Sequence, residues 1–326
     1  MREVTFLKKN AEMWKSFETL LDEKDRRKDP DLLAGLFIQL TDDLSYARTF
    51  YPGSRTLLYL NSLTAKAHRS IYRNKKEDKS GIVKFWTTEL PLLFYKHRLM
   101  IFISSLIFIV SLLIGIVSAA NDSGFTRVIM GDSYVKMTEE NIDKGDPMSV
   151  YKKMNETDMF LGITLNNIKV SFFAFVMGIL FSFGTGYILF TNGVMLGAFE
   201  YFFYEHNYLF TSITTVFVHG VLEISSIIIA GAAGLLLGKS FLMPGTYSRR
   251  ESFMNAARDG VKIVIGLIPL FITAGFFESF VTRHTEMPLV VNLLIIISSI
   301  VFIIWYTALY PKRVKEGIER KLPGVN

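Results

Sequence analysis

Thr211–Gly238, TSITTVFVHGVLEISSIIIAGAAGLLLG, is the stretch that decides the class of this chain. A bilayer core takes about 20 apolar helical residues, and this run of 28 exceeds that even with its polar first turn at the interface. It therefore spans a membrane. Within it His219 and Glu223 stand four residues apart, on one face of a helix and one turn from each other. An ionisable group at bilayer depth is costly, so both are expected to face protein and to have partners. Farther along, Ala230, Gly231, Ala233, Gly234 and Gly238 place small side chains at three- and four-residue spacing, a face on which another helix backbone can approach closely.

Composition agrees. The chain has 326 residues, half of them hydrophobic, with 28 Phe and a mean hydropathy of +0.31, too apolar for a soluble protein of this charge unless several segments lie in lipid. The absence of cysteine excludes disulfides, thiol catalysis and thiolate metal sites. The first residues, MREVTFLKKNAEMWK, lack the apolar core and small-residue cleavage site of a signal peptide, so an internal span is expected to direct insertion. The net charge of +6 does not argue for nucleic acid. Of 36 Lys and Arg, 19 precede the first span, where 13 acids leave +6, and the loop after that span carries five basic and eight acidic residues. That sign change predicts a cytoplasmic N-terminus and an extracytoplasmic loop over 120–167.

HGVLEISSIIIAGAAGLLLG, together with NNIKVSFFAFVMGILFSFGTGYILFTNGVMLGAF upstream, resembles the stage II sporulation protein M family of multi-pass bacterial membrane proteins, most closely from Asn166 to Gly238. The resemblance implies an architecture and a bacterial cytoplasmic membrane. In the member that gives the family its name it also implies a scaffold for peptidoglycan-degrading enzymes.

The expected fold is all-α: a polytopic membrane helix bundle of about six crossings, preceded by a cytoplasmic helical bundle over 1–80. In that bundle Met13 or Trp14, Phe17 and Leu20 or Leu21, then Leu33, Leu36, Phe37, Leu40 and Leu44, then Leu57, Leu60, Leu63 and Ile71 form apolar stripes. Asp29 and Pro30 read as a helix start, and RNKKEDKS, Arg73 to Ser80, as a polar hinge. Residues 81–98 pattern an amphipathic elbow helix at the cytoplasmic surface, or else a fourth bundle helix.

The transmembrane domain runs over 99–310, with spans at Leu99–Ala119, Ile168–Phe190, the His219 helix, Val261–Val281 and Leu289–Leu309. A basic tail, 311–326, and the basic loop Lys239–Lys262 are both expected on the cytoplasmic side. An odd number of crossings must then connect Asn167 to Lys239, so Gly193–Tyr204 is expected to be a short or half-crossing helix, with an interfacial hairpin as the alternative. Asn166, Asn167 and Asn192 flank the second span as helix caps.

His219, Glu223, Glu200 and Glu278 are the candidate intramembrane polar cluster. The plainest role is a structural pair stitching helices together; the alternatives are a proton relay or substrate site and a metal site. A His and a Glu supply two ligands where zinc takes three or four, and Glu200 or Glu278 completes the set only where helices converge, so neither metal nor cofactor is expected. No phosphate-cradling glycine loop or nucleophile elbow is present. The expected protein is therefore a non-enzymatic scaffold in the bilayer, oligomeric, recruiting envelope or cytoplasmic partner proteins. A permease-like component is the alternative, and a membrane-embedded metallohydrolase the weakest third.

Overall fold

The computed structural model describes residues 2–22, 30–73, 80–152, 155–283 and 287–321. It divides into two compact units, residues 1–81 and 82–326. The expected cap Asp29 and the centre of the polar hinge, 74–79, lie outside the described residues.

The first unit consists of α1 (Glu3–Asp22), α2 (Pro30–Phe50) and α3 (Arg55–Arg73). Gly53, at φ +83, supplies the left-handed residue that turns α2 into α3. Trp14 and Phe17 of α1, Leu40 and Ala47 of α2, and Leu60, Leu63 and Ala67 of α3 share one core. The Trp14 indole N–H donates to Asp43 Oδ2 at 2.7 Å. Burial raises the Asp43 carboxyl above the ordinary carboxylate range, and the indole opposes that shift.

The second unit begins with α4 (Ser80–Lys84), a π-helical turn at Phe85–Glu89 and α5 (Leu90–Lys96). This elbow packs on the membrane helices. Leu90 and Phe94 are fully buried. After a break at His97 come α6 (Arg98–Asn121), α7 (Phe125–Met130), α8 (Asp132–Asp143), α9 (Glu156–Val176), α10 (Phe183–Glu205), α11 (Leu209–Leu242), α12 (Arg249–Phe276), α13 (Leu289–Ile304) and α14 (Tyr310–Lys321). The described residues form helices joined by turns, with no strand among them.

Among the described residues five helices are long and apolar enough to cross a membrane: Arg98–Asn121, Glu156–Ile179, Leu209–Leu242, Arg249–Thr282 and Leu289–Arg320. α10 is a sixth long helix in the same bundle; 23 residues reach about 34 Å. The protein is thus an all-α polytopic membrane bundle. α11 lies at its centre, against α6, α9, α10, α12 and α13, and is the most buried of the five spans, whereas α13 is the least.

Three expectations about position change. The second span was placed at Ile168–Phe190, but its helix starts at Glu156, where Asn155 caps it through Thr157 N–H, and ends at Ile179. The chain then reverses at Leu180–Ser182, with Phe181 and Ser182 both left-handed at φ 50 and 71. Consequently Gly193–Tyr204 is the second half of full-length α10, neither a short crossing nor a hairpin. A phenylalanine and a serine in that conformation give no sequence signal, because the reversal is stabilised by tertiary contact: Ser182 Oγ–H donates to the Leu235 carbonyl at 3.2 Å. Asn166 and Asn167 therefore lie well inside α9 and cap nothing.

The loop 120–167 is largely helical. α7 and α8 are clamped by Arg127, which donates to Asp132 and to both oxygens of Glu139 at 2.7–2.9 Å, and Val135 and Met148 pack on Phe202 and Phe203 of α10. The basic segments are helix ends. α11 runs on to Leu242, Ser248 caps α12 through Glu251 N–H, and 310–321 continues the last span, with Lys315 and Arg98 each 4.7 Å from the Tyr95 ring centre.

Candidate functional site: an intramembrane His/Glu cluster

The residues around the cluster are positioned by close backbone packing. Gly234 of α11 sits against Thr185 and the Ala174 carbonyl, Gly231 against Leu189 and Ser104, and Gly238 against Ser182, so added side chains at these positions would collide with α6, α9 or α10. Ala230 and Ala233 are fully buried. The small-residue face thus meets three neighbouring helices. A second seam escaped sequence reading: Gly193 and Gly197 of α10 lie on the Phe108 and Leu112 carbonyls of α6, and Gly115 lies on the Val194 carbonyl. The spacing Gly193-x-x-x-Gly197 was its signal.

With α11 held in this way, His219 and Glu223 face the end of α12. There the helix widens into a π turn, Phe277–Thr282, an irregularity that recurs at functional sites. The turn presents Glu278 and Thr282 to His219. The imidazole is 4% exposed; its Nδ1 lies 3.1 Å from Thr282 Oγ1 and its Nε2 lies 3.8 Å from Glu278 Oε2. One ligand atom from each of His219, Glu223 and Glu278 lies within 4.8 Å of the other two. Glu223 also has the Asn167 side chain of α9 beside it.

A cavity of about 390 Å³ adjoins the cluster. Glu223, Glu278 and one side of α9, from Asp158 and Met159 in its first turn to Asn166 and Asn167, line it. Among the described residues no Lys or Arg lines it.

Glu200 stands apart. It is on α10, beside Ser212 of α11, and is not in the three-residue group. Of the four expected residues the structure thus brings together His219, Glu223 and Glu278, and it adds Thr282, which the sequence reading did not select, and Asn167, which it read as a helix cap. Asn167 had a periodic signal, since Thr164, Asn167 and Ser171 form a polar stripe at helical spacing on α9, and all three are buried.

At the opposite end of the bundle, Lys96 Nζ and His97 Nε2 lie 2.7 and 2.8 Å from Asp259 Oδ2 of α12. The Trp86 indole donates to the Gly266 carbonyl at 3.2 Å, and the Tyr306 hydroxyl to the Trp86 carbonyl at 2.6 Å. These contacts fix the elbow against α12 and the last span.

The fold and its buried polar centre define a multi-pass α-helical membrane protein. Residues 104–283 match the model of the family described as stage II sporulation protein M, more than half of the chain, and the protein belongs to that family. Residues 4–73 match a domain of unknown function, DUF8413. An uncharacterised protein of Methanocaldococcus jannaschii is 23% identical over 190 residues, which cover 57% of this chain and 83% of that protein. No solved structure matches the chain.

Proposed function

We propose that the protein is a membrane scaffold that recruits or organises partner proteins at the cell envelope. The observation that carries this is the pairing of a self-contained helical unit, residues 1–81, with a membrane unit bearing its own helical cap, α7–α8. The charge pattern would place residues 1–80 and 311–326 in the cytoplasm and the cap outside, giving a recruiting surface on each side of a bacterial inner membrane. Cell-wall remodelling enzymes are the partners that the family resemblance implies. The exposed apolar faces of α6 and α13 suit lipid or a second copy of the chain. Affinity capture of the full chain in mild detergent, repeated on a chain lacking residues 1–81, tests this: a stable envelope partner is expected, with part of the set lost on truncation, and a full-length protein that purifies alone refutes it.

A second function, as a permease-like component, is favoured by the convergence of His219, Glu223 and Glu278 beside a cavity. Intramembrane ionisable residues commonly mark ion or proton paths. Reconstituted vesicles would then show solute or proton flux that His219→Ala abolishes; absence of flux in the parent protein removes this function and leaves the scaffold untouched.

A further inference from the structure

We propose that His219, Glu223 and Glu278 form an intramembrane binding site for one divalent transition-metal ion, of the zinc or manganese class, with Asn167 at its open side. The proposal is independent of both functions above, since the ion could fasten helices in a scaffold or serve a transported solute.

The geometry is that of ligands around one centre. His219 Nε2 and Glu278 Oε2 are 3.8 Å apart, too far for a hydrogen bond. Two ligands each about 2.1 Å from a tetrahedral ion lie roughly 3.4 Å from one another, so small side-chain movements close the three atoms onto an ion. His219 is oriented as metal-binding imidazoles are. In the tautomer whose Nδ1–H donates to Thr282 Oγ1, 3.1 Å away, the Nε2 lone pair faces Glu278, and such outer partners fix tautomer and ring orientation.

Charge makes the same case. With both carboxylates ionised and the imidazole neutral the set carries −2, and among the described residues no Lys or Arg lines the adjoining cavity. A dication brings the set to neutrality, which suits a low-dielectric interior where uncompensated charge is expensive.

An independent observation comes from α9. Asn167 is 6% exposed and lines the same cavity as Glu223 and Glu278; its amide lies beside the Glu223 carboxylate, yet among the described residues no acceptor meets its Nδ2 in hydrogen-bonding geometry. Polar groups buried this deeply are normally satisfied. A metal-bound water would accept from that nitrogen, or the amide, turned over, would present its oxygen to the ion. The cavity of about 390 Å³ leaves room for the remaining coordination positions and gives a path from Asp158 inward. One imidazole with two carboxylates favours a first-row ion over magnesium, which prefers oxygen donors in near-ideal octahedral geometry.

The test is calorimetric titration of chelator-stripped, full-length protein in mild detergent with zinc chloride, and separately with manganese and magnesium chlorides. The expected result is one equivalent of zinc or manganese per chain and no saturable magnesium binding. Glu223→Gln and Glu278→Gln should each weaken binding at least tenfold, and Thr282→Val by about tenfold through the loosened imidazole. Glu200→Gln, remote from the cluster, should bind as the parent does. Because each variant must first be shown folded, a zinc-dependent rise in the melting temperature of the unmodified protein provides a second readout. Absence of saturable binding and of that rise overturns the site. Undiminished binding by folded Glu223→Gln/Glu278→Gln double variant also overturns it, by placing the ion elsewhere.

Discussion

Two regions of one bundle differ in how they treat polar groups. Around α6 and α10 the buried hydroxyls are satisfied: Ser104 donates to the Ile228 carbonyl at 2.6 Å, Ser111 to Ile107 at 2.7 Å and Thr185 to Ala174 at 2.7 Å. On α9, α11 and the end of α12, the hydroxyls of Thr164, Ser171, Ser226 and Ser279 and the Asn167 amide nitrogen have no partner. Lipid offers no hydrophobic drive for helix association, so membrane helices rely on close packing and hydrogen bonds. The first region uses both for its hydroxyls, and Glu200 of α10, buried beside Ser212 of α11, is its exception. The second leaves polar capacity unspent around three ionisable side chains, which is poor economy for a packing interface and ordinary for a site.

That contrast can be broken at either end. The largest effect is expected for Gly197→Val, whose side chain would collide with the Leu112 carbonyl: about 3 kcal/mol of stability lost, read as a fall in melting temperature and loss of a monodisperse elution peak. Trp86→Phe removes the donor to the Gly266 carbonyl and should cost about 1 kcal/mol, loosening the elbow and speeding proteolysis after it. Ser104→Ala should cost about 0.6 kcal/mol, the usual worth of an interhelical hydrogen bond in membranes. The smallest loss is expected for Glu223→Gln/Glu278→Gln in metal-free protein, where removing two confined carboxylates should leave thermal stability unchanged or raise it. If that variant melted as early as Gly197→Val, the polar region would be structural after all and the contrast would disappear.

The sequence made the crossings and the buried His/Glu pair legible, because membrane thickness and helical spacing act over short stretches. It misplaced one helix start and one reversal. The start at Glu156 depends on Asn155 as cap after a polar loop, and the apolar pattern begins only later, so hydropathy drew the boundary about three turns too far along. The reversal at Phe181 and Ser182 is held by contacts with α11, which no local pattern encodes. The site was half visible. His219 and Glu223 share a helix face and could be paired on sight, whereas Glu278, Thr282 and Asn167 arrive from helices far along the chain, and Glu200 had equal standing until the fold set it beside Ser212.

The reversal at Leu180–Ser182 has a mechanical corollary. Three residues separate the end of the second span at Ile179 from α10, and α10 is locked to α6 through glycine, so these three helices can shift only as a block. α12 reaches the cluster from the other direction and touches α9 near Gly275, against Thr164. Parting of α12 from that block would open the α9 side of the cluster, and labels on the exposed positions Leu165 and Ile272 of these two helices would register the displacement.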